Sequence, residues 1–153
     1  MKILIALFAL LAPAAAFAAD NVSLTSKVFV ERLKPGADGK PLVVREAPGV
    51  VTPGDKLVFV LGYRNSGAQP ATGFTLTNPI PPSVDFVGTD DSSAVLSVDG
   101  GKSWGPLASL KVVNPDGSSR PAVAADVTHI RWSMRQPIAA GGGGELSFRG
   151  VVE

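Results

Sequence analysis

"VTPGDKLVFVLGYRNSG", residues 51–67, holds a strand together with both of its stops. Pro53 fixes φ and Gly54 accepts conformations that side chains forbid, so Pro53-Gly54-Asp55 reads as a turn just ahead of a strand. Asn65, Ser66 and Gly67 tolerate positive φ and end the run with the same hairpin or corner chemistry. Between them, "KLVFVLGY" is apolar on both faces, which predicts a central strand covered on both sides.

The pattern repeats outward in both directions. Strands are predicted over 22–32, 42–46, 56–64, 73–77, 84–87, 94–98, 107–113, 127–134 and 145–152. "PGAD", "NPIPP", "DGG", "NPDG" and "GGGG" separate them, and the 13 prolines fall almost entirely between the runs, where no ladder donor is lost. No eleven-residue window after Ala18 keeps helical spacing without a Gly or Pro break, so an all-β sandwich or barrel is expected. In "VTHIRWSM", Ile130, Trp132 and Met134 alternate with Val127, His129, Arg131 and Ser133, which predicts the first set as core. Leu146 and Phe148 alternate likewise with Ser147 and Arg149, while "AAGGGG" reads as a loose connection. Residues 34–47 read equally as a strand of the domain or as an arm leading into it.

"MKILIALFALLAPAAAFAAD" has Lys2, an apolar run from Ile3 and a small-residue end with Ala16-Phe17-Ala18, the layout of a cleaved signal peptide over residues 1–18. Its loss leaves residues 19–153 as one domain, with 19–50 supplying first strands or an arm and 51–153 the main body. Without Lys2, 13 basic residues match 13 acidic ones, which argues against a nucleic-acid partner or a polybasic membrane patch. No further apolar run approaches 20 residues, so no membrane span is expected after cleavage, and a periplasmic or secreted location follows. With no cysteine, folding relies on the core alone.

From about residue 51 to 152 the order of motifs resembles the bacterial conserved-repeat family known as domain of unknown function eleven. The motifs are "VTPGDKLVFVLGYRNSG" with Phe59, "ATGFTLTNPIPPSVDFV" with Asn78 and Pro81 at an Asp-x-x-Pro corner, and closing strands carrying Trp132. Asn78 stands where that family usually has Asp. The resemblance implies an immunoglobulin-like antiparallel β-sandwich used as a structural or interaction module, with no catalytic residues to transfer.

"SVDGGKSW", residues 97–104, has the spacing of an Asp-box, in which Asp99 accepts backbone donors, Gly101 takes a conformation closed to side chains and Trp104 packs over the strands. That geometry builds a turn and does not activate water. Gly101-Lys102-Ser103-Trp104-Gly105 also matches G-x-S-x-G, with Asp116 or Asp126 and then His129 following, but a nucleophile elbow needs a helix after it and none is predicted. Leu96 stands where a phosphate-binding loop needs its first glycine. One histidine and no cysteine make no zinc site, and Asp90, Asp91 and Asp99 lack the spacing of a dedicated calcium loop, so two solvated loops are the favoured reading over a weak calcium site.

The sequence therefore predicts a non-enzymatic module of the bacterial envelope, without cofactor, acting by docking to an envelope or surface protein, by self-association, or by pairing an edge strand. Val22–Arg32 and Val84–Val87 are the expected edges. The alternative is a carbohydrate-binding accessory domain built on the Asp-box, Trp104 and Trp132.

Overall fold

Phe59 and Phe148 stand directly opposite each other on neighbouring strands, with ring centroids 4.5 Å apart and planes 5° from parallel. Around this pair the computed structural model, which describes residues 21–153, builds two antiparallel sheets and a small hairpin. The predicted signal peptide lies outside the described residues.

The larger sheet has the order β2-β1-β3-β10-β5, from β1 (Val22–Pro35), β2 (Pro41–Glu46), β3 (Lys56–Asn65), β5 (Val84–Gly88) and β10 (Gly143–Val152). The smaller has the order β4-β9-β6, from β4 (Thr75–Pro79), β6 (Val95–Ser97) and β9 (His129–Ser133). β7 (Lys111–Val113) and β8 (Ser119–Pro121) form the hairpin. Leu57, Phe59, Leu61, Leu146 and Phe148 of the first sheet meet Leu76, Leu96, Ile130 and Trp132 of the second in one core. The rings of Trp132 and Phe148 lie 6.5 Å apart across it. The predicted core residues Phe59, Ile130, Trp132 and Phe148 are all buried. No helix among the described residues is long and apolar enough to cross a membrane.

Residues 34–47 belong to the β1–β2 hairpin, paired from Val30↔Glu46 to Pro35↔Pro41, rather than to a loose arm. The run 107–113 divides into a 3-10 turn at Leu107–Ser109 and the short β7, because Pro106 sets an extended lead-in and Leu110 is drawn into the core. The glycine run is not loose either: Gly143 and Gly144 lie within β10, and a Cβ on Gly143 would stand 2.2 Å from the Tyr63 carbonyl oxygen. Val127, expected on the wet face, is 4% exposed, because the strand begins only at His129 and the residues before it follow a 3-10 turn into the core.

The outer face of β3 is covered by charges rather than by a second layer. Val58, 0% exposed, sits in register between Phe29 and Arg149. On that face Arg149 Nε donates to Glu31 Oε1 (3.4 Å) and Arg149 Nη1 to Asp90 Oδ2 (2.8 Å), while Arg45 Nε lies 3.5 Å from Glu31 Oε1. An arginine can lay its apolar stem along a sheet while its head pairs with carboxylates, which lets a buried valine coexist with a polar face.

Candidate functional site

The Asp-box folds as its residue types require. Ser97 Oγ donates to Asp99 Oδ1 (2.7 Å), which also accepts the backbone N–H groups of Lys102 and Ser103, each at 3.0 Å. Ser103 Oγ donates to Asp99 Oδ2 (2.6 Å), and this bond, with the Ser103 N–H and the Ser97 hydroxyl, holds the Asp99 carboxyl well below the usual carboxylate range. Gly100 and Gly101 take φ of 76° and 87°. Trp104 Nε1 donates back to the Gly101 carbonyl (2.9 Å), and the Arg131 guanidinium lies 3.7 Å from the ring centroid of Trp104. Thr128, which no pattern singled out, anchors the turn by donating from N to Ser97 O (2.8 Å) and accepting at Oγ1 from Gly100 N (3.1 Å).

The residues of a hydrolytic reading are each engaged elsewhere. Ser103 is bound to Asp99, His129 Nδ1 lies 3.1 Å from Thr128 Oγ1, and Asp116 accepts from Ser118. Asp126 is gripped at both oxygens by Arg120, at 2.6 Å each, which lowers its pKa to about 2. Asp90 pairs with Arg149 and Asp91 accepts from Ser93, so neither joins Asp99, and no group of three metal-ligating side chains occurs among the described residues. Nor do the tryptophans form a platform for sugar, which needs exposed faces: Trp132 is 0% exposed and Trp104 has a face under Arg131.

The predicted corner residues do structural work in ways that differ from expectation. Gly54 (φ 90°) makes the turn before β3, with Asp55 accepting from Thr52 N (2.9 Å) and from Arg32. Asn65 and Gly67 take no positive φ. Asn65 is 1% exposed, and its side chain donates to Gln69 O (2.8 Å) and Ile138 O (2.9 Å) and accepts from Gly67 N (2.9 Å). A buried amide with three partners ties the end of β3 to two loops, so side-chain bonding rather than backbone freedom explains this residue. Asn78 is not a corner cap: it lies in β4 opposite Ile130, and its amide donates to the Pro79 carbonyl (2.7 Å), whereas the turn into β5 is closed by Val84 N on Pro81 O (3.0 Å).

What remains open is a sheet edge. β5 is an edge strand as expected, but its flank is contacted by the 3-10 turn Ala124–Asp126, and Pro81 and Pro82 precede it. β6 is closed on its far side by Gly105, which exchanges both backbone bonds with Leu96. β2 begins at Pro41, and its Glu46 pairs with Lys34 and Arg32. β1 is not an edge over its whole expected length, because β2 flanks it from Val30 onward, yet Val22–Phe29 pair with β3 alone. Ser66 N donates to Asn21 O and Gly36 N to Lys40 O. These bonds set the parity of the two ladders: odd residues of β1 bond toward β3 and even ones away from it. Val22, Leu24, Ser26 and Val28 therefore aim their backbone N–H and C=O groups outward, with no strand beside them among the described residues. This stretch has no Pro or Gly and one charge, Lys27, and Leu24 is 56% exposed. Across a slot of about 200 Å³ lined by Leu24, Leu61 and Leu76, it faces the open side of β4. Sequence reasoning placed an edge in this region from its nearness to the terminus, but not the parity that leaves it open.

Comparison with family models, with curated proteins and with solved structures found no match.

Proposed function

We propose that this chain is an exported, non-enzymatic, immunoglobulin-like interaction module of the bacterial cell envelope, related to the conserved-repeat family, which docks by adding a strand to Val22–Phe29 of β1. The observation that carries this reading is a run of eight residues, Val22–Phe29, with no strand on its outer side among the described residues and neither Pro nor Gly within it, whereas Gly105 closes β6 and prolines lead into β2 and β5. Natural sheets blunt their edges with prolines, bulges and charge, and a long edge with a single lysine is a template for another strand. Main-chain bonds give such a contact its strength, and the apolar slot at Leu24 gives it selectivity.

Proline at an outward-facing position tests this without touching the β1–β3 ladder. Ser26→Pro removes one outward N–H, whereas Ser92→Pro, in an exposed turn, serves as the control. The full chain with a C-terminal tag, expressed in its own host and cross-linked before purification, is expected to lose its captured protein in Ser26→Pro and to keep it in Ser92→Pro. A folded Ser26→Pro variant with undiminished capture refutes the docking reading.

A further inference from the structure

We infer that the strand received by this edge is the same edge of a second copy of the chain, paired antiparallel about a two-fold axis through Thr25; the inference rests on the docking reading above. Three observations converge on it.

Parity is the first. The outward-bonding residues are even, so an antiparallel self-pairing must place even opposite even. The window is the second. Centring on Ser26 would set Val22 against Val30, whose outward side is taken by Glu46 of β2. Centring on Thr25 pairs Val22 with Val28, Ser23 with Lys27 and Leu24 with Ser26, so every outward residue from Val22 to Val28 finds its partner within the open run. Charge is the third. In this register Lys27, the one charged residue of the run, faces Ser23 of the second copy rather than another cation. Leu24 and its symmetry mate then become diagonal neighbours on the core-side face of the joined sheet, which gives both of these exposed leucines an apolar contact. An isologous pairing of this kind closes on itself as a dimer and satisfies every outward group from Val22 to Val28.

The absence of any cysteine makes the register directly testable, because each engineered thiol reports on its own position alone. Thr25 lies on the axis in a non-hydrogen-bonded pair, where Cα atoms stand about 4.5 Å apart, within reach of a disulfide. Ser23 and its mate would be about 14 Å apart, four residues out of register. The full chain carrying Thr25→Cys is therefore expected to oxidise to a disulfide dimer at least about tenfold faster than Ser23→Cys or Lys27→Cys alone. Mixing Ser23→Cys with Lys27→Cys is expected to give the mixed disulfide. Sedimentation of the unmodified chain should show a concentration-dependent dimer that Ser26→Pro abolishes.

Thr25→Cys oxidising no faster than the flanking variants, together with no mixed disulfide from Ser23→Cys and Lys27→Cys, overturns the self-pairing. So does a chain that stays monomeric at the highest concentration measured. If Ser26→Pro still abolishes capture of another protein in that case, the edge docks a different strand and the docking reading stands. If Ser26→Pro changes neither capture nor self-association, both readings fall.

Discussion

Replacing Asn65 with Asp changes one atom of a side chain that is 1% exposed and turns a donor toward two backbone carbonyls into an acceptor. The parent amide donates to Gln69 O and Ile138 O, so an ionised carboxylate would set negative charge against both, in a site closed to water. The acid can avoid this by staying protonated and donating to one of them. Losing the other bond costs about 1–2 kcal/mol at any pH. Holding the proton adds about 1.4 kcal/mol for each pH unit above the unfolded value near 3.9, or about 4 kcal/mol at pH 7. The sign follows from linkage: a folded pKa raised above the unfolded one gives stability that is present at low pH and is lost as pH rises toward the folded value. Asn65→Asp should therefore lie about 1–2 kcal/mol below the parent near pH 4 and about 5 kcal/mol below it at pH 7, a large part of the total for a domain of this size. Asn65→Ala, which strands Gly67 N, Gln69 O and Ile138 O, should cost about 3 kcal/mol with no such slope. Urea unfolding of the three proteins at pH 4.5, 5.5 and 7 measures this. A deficit for Asn65→Asp that stays flat across that range would refute the buried, fully bonded role assigned to Asn65.

Two further outcomes follow from the same bonding. The folded Asp99 carboxyl is held low by Ser103 and Ser97, so its contribution is present above the unfolded value near 3.9 and is lost as pH falls below it. Asp99→Asn should flatten the acid limb of the stability curve and speed amide exchange at Lys102 and Ser103, and an unchanged acid limb would count against the box as a stabilising turn. Arg149 stands in register with the fully buried Val58, so Arg149→Met should stay within about 1 kcal/mol of the parent, because Asp90 is exposed, Glu31 keeps Arg45 as a partner and an apolar stem is retained. Arg149→Ala should lose about 1–2 kcal/mol by exposing Val58, and equal melting temperatures for the two variants would place the stabilisation in the charge instead.

Much of the architecture is legible in the residues themselves. Alternation marked Ile130, Trp132 and Phe148 as core, Pro53-Gly54-Asp55 marked the entry to β3, and "SVDGGKSW" marked a turn held by Asp99. These signals are local, since each depends on the two-residue period of a strand or on the φ that one residue allows. Val127 escaped because strand periodicity does not extend through the 3-10 turn that precedes β9. Asn65 carried a turn signal, but its partners lie up to 73 residues away.

Residue identity alone marks the chain as a β protein, names most of the side chains of its core and places several of its turns, Pro53-Gly54-Asp55 and "SVDGGKSW" among them. Which strands are neighbours follows from the packed fold: β2 stops covering β1 at Val30, Gly105 closes β6, and the even residues from Val22 to Val28 aim their backbone groups outward. The physical reason is that strands are joined by backbone groups common to almost every residue, so residue identity signals a strand's existence but leaves the identity of its neighbour to the packing of the whole chain.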